Sequence, residues 1–246
     1  MNVKGKVILV TGAARGIGAA IAQRLGGAEA LVLTDIEEIH ADLPCPVLSV
    51  TEDLESARAP QVIFDAALAE FGRVDGLVNA AGITTRASFE AADPDIFDRV
   101  FAINTRAAYL LMARAIEDMK ARQAQGAIVN ILTMNAHCGI PELAVYAASK
   151  GALTTLTKNA ANAHMADRIR VNGINLGWVA TETERALQEE TLGKGAGWMA
   201  AEAARQPLGR FVSEDDAARL TAWLLSDASA PTTGVALDLE QKVVGA

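Results

Sequence analysis

Tyr146 and Lys150 stand four residues apart in Tyr146-Ala147-Ala148-Ser149-Lys150, a spacing that puts both side chains on one face of a helix. An ammonium beside a phenol favours the phenolate and lowers a tyrosine pKa from about 10 toward working pH, as a tyrosine acid/base requires. By itself such a pair is more often a surface contact. A second constellation lies upstream, where Thr11-Gly12-Ala13-Ala14-Arg15-Gly16-Ile17-Gly18 follows a short apolar run and opens into the helix-period segment Ala19–Leu25. Glycines allow a tight turn there, and their missing side chains let backbone N–H groups approach a pyrophosphate at the helix N-terminus. A glycine-rich string alone is weak evidence; a strand before it and a helix after it make it a dinucleotide site. Asp35 ends the next apolar run, near the ~20-residue spacing of a carboxylate that bonds the adenosine ribose hydroxyls. A 2′-phosphate would meet a like charge at Asp35, and Ile36 stands where a basic residue would suit NADP. NAD is therefore the expected cofactor and NADP the less favoured one. Arg15 argues the other way, because it can face a 2′-phosphate from the loop.

Positioning these groups requires a scaffold, and the chain supplies a repeating one. Apolar runs at Val7–Val10, Leu31–Thr34, Val47–Val50, Leu77–Asn79, Ala127–Ile131, Arg170–Asn175 and Val235–Leu239 alternate with helix-period segments. Most are continuous rather than alternating, as parallel strands covered on both faces require. Asp93-Pro94 reads as a helix cap with proline at the first position, and Thr51 and Ser213 each precede an acidic first turn. The expected fold is α/β: one doubly wound, Rossmann-type parallel sheet with helices on both faces, over residues 1–246 as a single domain. The link from Asp35 to the third strand is too short for a crossover helix. Residues 180–212 read as mostly helical, with Gly193, Gly195 and Gly197, and form a candidate lid.

Read together, these segments resemble the short-chain dehydrogenase/reductase family over almost the whole chain. Five ordered stretches carry the resemblance: the glycine loop, Asn79-Ala80-Ala81-Gly82, Asn104 in Phe101-Ala102-Ile103-Asn104-Thr105, the tyrosine–lysine pair, and Ile169-Arg170-Val171-Asn172 followed by Gly177. The resemblance implies hydride transfer at a carbon bearing oxygen. Tyr146 is then expected to exchange a proton with the substrate oxygen. Lys150 is expected to bind the nicotinamide ribose and depress the tyrosine pKa. Asn104 is expected to hold a water in a proton relay. It further implies cofactor contacts from Gly12, Arg15, Gly16, Ile17, Gly18, Asp35, Ser49, Val50, Asn79, Ala80, Ala81, Gly82, Gly177, Val179 and Thr181, beside Tyr146 and Lys150.

Several positions depart from the family pattern. Thr133 stands thirteen residues before the tyrosine, where the family has serine. It keeps the hydroxyl but adds a methyl and a restricted χ1 beside the reacting carbon. Ser49 replaces an aspartate near the adenine. Leu176 replaces a proline, which leaves the start of the lid less fixed in φ, and Trp178 is large for a residue beside the nicotinamide. The tail, Leu237-Asp238-Leu239-Glu240-Gln241, lacks the family's Asp-Gly-Gly ending.

Family membership leaves the substrate to the pocket. By analogy Thr84, Asn135, His137, Glu142 and Trp178 line it, a set rich in hydrogen-bonding groups with an indole for an apolar face. A sugar or polyol is the favoured small-molecule substrate. The alternatives are a ketone or 3-oxoacyl reductase using NADP, for which Arg15, Arg86 and Arg106 supply a modest basic rim, and a non-catalytic nucleotide-binding regulator. Helices near 96–123 and 146–165 carry more apolar surface than one sheet face covers, so a homo-oligomer, tetramer or dimer, is expected.

Composition narrows the rest. A formal net charge of −8 argues against nucleic acid as a partner. Hydrophobic residues make up 51% of the 246 positions, yet no apolar run approaches the roughly 20 residues of a membrane span. No membrane partner is expected. The two cysteines, Cys45 and Cys138, lack metal-ligand spacing, so no metal is expected and a cytoplasmic setting is the default.

Overall fold

The computed structural model describes residues 3–137 and 139–243; Cys138 lies outside them. Seven strands, β1 (Val7–Thr11), β2 (Ala30–Asp35), β3 (Val47–Thr51), β4 (Gly76–Asn79), β5 (Gly126–Thr133), β6 (Ile169–Leu176) and β7 (Ala236–Leu239), form one sheet. All are parallel and lie in the order β3-β2-β1-β4-β5-β6-β7. The order reverses between β1 and β4, so the crevice beyond the carboxyl ends of those strands is the place for a ligand.

Successive strand residues face opposite layers. Val7 and Leu9 pack with α2 (Ala59–Phe71), α4 (Ala108–Ala121) and α5 (Ala144–His164), whereas Ile8 and Val10 pack with α1 (Gly16–Arg24) and α8 (Glu214–Leu225). Both layers are dry, which explains why the strands read as continuous apolar runs. The first helix begins at Gly16, inside the glycine loop and three residues ahead of the sequence expectation. No helix joins β2 to β3, as the short link required.

Asp93 caps α3 (Pro94–Phe101), accepting from the Asp95 N–H at 2.8 Å. Ser213 caps α8 in a reciprocal box with Asp216. Thr51 caps nothing: it is the last residue of β3, and α2 starts eight residues later behind Arg58. Its register with Asp35 extends the sheet by one more pair, which outcompetes a helix start.

The helical path from α3 to α4 is continuous but carries a π segment at 102–107. Such a segment shifts the register of the side chains that follow it and commonly marks a functional site. The lid region contains α6 (Glu182–Ala186), a π turn at 187–191 and α7 (Trp198–Ala203). Its ends are drawn together by a bridge between Val179 and Val212. Among the described residues no helix is long and apolar enough to cross a membrane.

Candidate active site at the switch point

Gly12 sits at φ +67°, and a Cβ there would lie 2.8 Å from the Cα of Ala81. The glycine loop therefore packs directly on the Asn79-Ala80-Ala81-Gly82 segment. Thr11 locks the two together, its Oγ1 accepting from the Ala80 and Ala81 N–H groups at 3.1 and 3.0 Å. A Cβ on Gly18 would overlap the Gly12 carbonyl oxygen. Gly16, at φ +57°, has a different role. The nearest atoms to a Cβ there belong to Thr181 and Glu214, 3.7 and 3.8 Å away. No side chain caps the N-terminus of α1 and no acid lies in its first turn. An open shelf at an uncapped helix N-terminus, with Ile17 in its first turn, fits a pyrophosphate.

Asp35 lies at the carboxyl end of β2, where its Oδ2 accepts from Ala14 N–H at 2.9 Å. Arg15 is not a free cation: its guanidinium meets the Glu37 carboxylate at 2.9 Å, on the same edge. Ser49 and Val50 lie on the neighbouring strand, with Val50 paired to Thr34. Among the described residues no cluster of His, Cys, Asp and Glu could hold a metal ion.

Beneath the switch point the buried polar groups form a ladder. Asn79 Nδ2 donates to Asn130 Oδ1 at 2.8 Å, and Asn130 Nδ2 donates to Thr157 Oγ1 at 2.8 Å. This chain crosses from β4 through β5 to α5 inside an otherwise apolar layer, so it sets the axial position of the helix bearing Tyr146 and Lys150. Asn104 lies in the π segment, 1% exposed. Its amide clamps the backbone of Ile83, donating at 3.0 Å and accepting at 2.9 Å, and also donates to Ser149 Oγ at 3.0 Å. A Cβ on Gly82 would lie 3.2 Å from both Asn104 Oδ1 and Lys150 Nζ, so the three positions converge.

Thr133 ends β5, 5% exposed, and its hydroxyl lies near enough to the Tyr146 phenol to lower its pKa. Lys150 is 3% exposed and donates to the Ile131 carbonyl at 2.8 Å. Burial pushes its ammonium down to about 8. Burial raises the phenol above its ordinary value, the Thr133 hydrogen bond lowers it, and the Glu184 carboxylate raises it further. The ammonium is held on a strand carbonyl.

The segment after β6 closes the site. Gly177 donates its N–H to Leu239 O at 3.0 Å, and a Cβ on it would overlap the Glu240 carboxylate. Glu240 also accepts from the Trp178 N–H at 3.3 Å. The lid start is fixed without a proline. Val179 bridges to Val212, and Thr181 caps α6 by accepting from Glu184 N–H at 3.2 Å. Trp178 stacks on Trp198 with ring centres 5.6 Å apart and meets Phe211 edge-on at 5.2 Å.

The pocket residues named from sequence are dispersed. Asn135 folds back on Thr133, its N–H donating to the threonine hydroxyl at 3.2 Å, and Thr84 is exposed on the loop after β4. Glu142 is also exposed, and its carbonyl accepts from Ala87 N–H at 2.9 Å, tying that loop to the entry of α5. His137 turns toward β7, with Nε2 2.9 Å from Asp238 Oδ1 and 3.0 Å from Asn175 Nδ2. Sequence reasoning missed Thr11, Glu37, Asn130, Ser149, Thr157 and Glu184. Partners such as Ala80 for Thr11 and Asn79 for Asn130 lie far along the chain, and Glu184 meets Trp178 and Gln188 only through the lid's own path.

Comparison with known proteins agrees with this geometry. Residues 12–240 match a family profile described as enoyl-(acyl carrier protein) reductase. The chain is 32% identical over 252 residues to 2-(S)-hydroxypropyl-CoM dehydrogenase 3 of Xanthobacter autotrophicus, covering 97% of this chain and 96% of that one. Its fold matches L-sorbose reductase from Gluconobacter frateurii, solved with NADPH and L-sorbose, at a TM-score of 0.90 and 26% identity, covering 100% and 99% of the two chains. It also matches 3-ketoacyl-(acyl-carrier-protein) reductase from Brucella melitensis, solved with NADH, at a TM-score of 0.83 and 30% identity over 97% and 98%. The chain belongs to the short-chain dehydrogenase/reductase family and is an NAD(P)-dependent oxidoreductase of alcohol and carbonyl groups.

Proposed function

We propose that this protein uses NAD to interconvert an alcohol or hemiacetal and a carbonyl on a sugar or polyol, with Tyr146 as general acid and base. The observation that carries the reading is the convergence of buried Lys150 and Asn104 on Gly82, beside Thr133 and Tyr146 at the mouth of the glycine-loop crevice. When bound, the nicotinamide accepts or supplies the hydride and its positive charge in the oxidised form favours the phenolate. Every proton is handled by the protein. Thr133 orients the substrate oxygen, Tyr146 takes or gives its proton, and Lys150, near neutrality in pKa, passes it toward Asn104. Preference for NAD rests on the Asp35 carboxylate and on Glu37, which pairs with Arg15, the glycine-loop cation. The likeness to L-sorbose reductase supports a polyhydroxylated substrate. We further propose that α4 and α5 pair with a second copy through the groove lined by Tyr109, Met112, Ile116, Leu156 and Ala160.

The test is nucleotide absorbance with NAD and NADP against aldoses, polyols, simple secondary alcohols and 3-hydroxyacyl thioesters, for the wild type and Tyr146→Phe. Turnover of polyols with NAD is expected, falling at least ~10²-fold in the variant while nucleotide binding persists. Activity on acyl thioesters alone, or undiminished activity in Tyr146→Phe, would overturn the reading.

A further inference from the structure

Glu184 is a lid carboxylate whose charge raises the pKa of the reacting phenol, and no motif in the chain announces it. It is the third residue of the lid helix α6, in its first turn, half-buried. Two donors from opposite sides pin a single oxygen: Trp178 Nε1 at 2.9 Å and Gln188 Nε2 at 2.7 Å both donate to Oε1. Trp178 follows β6, whose last residue, Leu176, is in register with Thr133. The pinned carboxylate therefore hangs over the ends of β5 and β6, where Thr133 and Tyr146 lie. It is close enough to act on the phenol electrostatically.

A carboxylate held against an aromatic wall by two donors has its second oxygen left to accept. Among the described residues no cation pairs with it: Lys194 is drawn over the Trp178 and Trp198 rings instead, 5.5 and 5.7 Å from their centres. Arg185, the adjacent residue, is taken by Glu182 and Glu189. The same lid buries two further polar atoms without protein partners, Gln188 Oε1 and Trp198 Nε1. Such a lid suits a ligand carrying several hydroxyls and disfavours an apolar one, since buried polar groups left unpaired are costly.

We propose that Glu184 determines substrate specificity by accepting a hydrogen bond from a hydroxyl on the carbon adjacent to the reacting one. Resting on the polyol reading above, this narrows the substrate class to vicinal diols and their α-hydroxycarbonyl products. It also excludes substrates with an anionic group at that carbon, because two carboxylates would face each other. Glu184 takes no part in proton or hydride transfer.

Butane-2,3-diol and butan-2-ol share one skeleton and one reacting carbon, and differ only in the neighbouring hydroxyl. The wild type is expected to favour the diol in kcat/KM. Glu184→Gln and Glu184→Ala are expected to cut that preference by about tenfold or more, the scale of a lost charge-assisted hydrogen bond. Trp178→Phe, which unpins the carboxylate without removing it, should lower the preference in the same direction. A purely structural role would lower both substrates equally, so an unchanged diol-to-alcohol ratio in the variants, or no diol preference in the wild type, refutes the inference. Failure of the wild type on every alcohol refutes the function proposed above instead.

Discussion

A buried lysine is a standing cost that only catalysis explains. The unfolded chain holds the Lys150 proton up to about 10.5, but the folded chain only up to about 8. Below the lower value the penalty is complete, of order 3 kcal/mol, and stability recovers as pH rises between the two. Lys150→Met is therefore expected to melt at a higher temperature than the wild type at pH 7, offset in part by the orphaned Ile131 carbonyl, and to be inactive. The difference should shrink as pH rises from about 8 to 10.5; calorimetry across that range checks it. On the cofactor edge, Glu37 rather than Asp35 alone restrains Arg15. Glu37→Gln should raise the NADP-to-NAD ratio of kcat/KM by about three- to tenfold, because Arg15 is freed for a phosphate oxygen. Steady-state kinetics with the two nucleotides would detect no change if Arg15 points away from the ribose.

At the scale of elements, the site depends on where helices begin and how they are keyed. The α1 N-terminus lacks a side-chain cap and is open to a ligand, whereas α8, packed against α1, begins with a complete capping box. Ser213→Ala is expected to cost about 1 kcal/mol in denaturant unfolding, with little effect on nucleotide affinity. A loss of binding larger than the loss of stability would show that α8 positions the glycine loop through Glu214. The π segment at 102–107 was foreshadowed only by Asn104 itself. Hydrophobic periodicity through this region reads as one long helix because apolar spacing is nearly the same on either side. What the segment accomplishes is local: it turns the Asn104 amide onto the Ile83 backbone and Ser149.

For the whole molecule, an apolar groove runs between α4 and α5, and Tyr109 at its edge is 50% exposed. If a second copy covers it, Tyr109→Glu should weaken self-association by about 2–3 kcal/mol, since an unpaired charge would be buried at the interface. Sedimentation equilibrium of the variant and wild type measures this directly. A wild type that stays monomeric at high concentration would remove the argument. The fold was largely legible because a doubly wound sheet writes itself into sequence as buried apolar runs separated by helix-period segments. Capping was less so: Ser213 and Asp93 behaved as their neighbours suggest, but Thr51 was claimed by strand pairing with Asp35, a partner sixteen residues away in sequence.

Residue type and short spacing by themselves determined the chemistry of this protein. Glycine must stand where backbone crowds backbone at Gly12 and Gly18, and a tyrosine and lysine four apart must share a helix face. Tertiary structure decided everything that depends on which distant groups meet. It turned Lys150 onto the Ile131 carbonyl, drew His137 to Asp238, and paired Arg15 with Glu37. It also hung Glu184 over Tyr146, from a lid whose residues carry no pattern of their own. Electrostatic and hydrogen-bond energies fall steeply with distance through space, and distance along the chain does not report them.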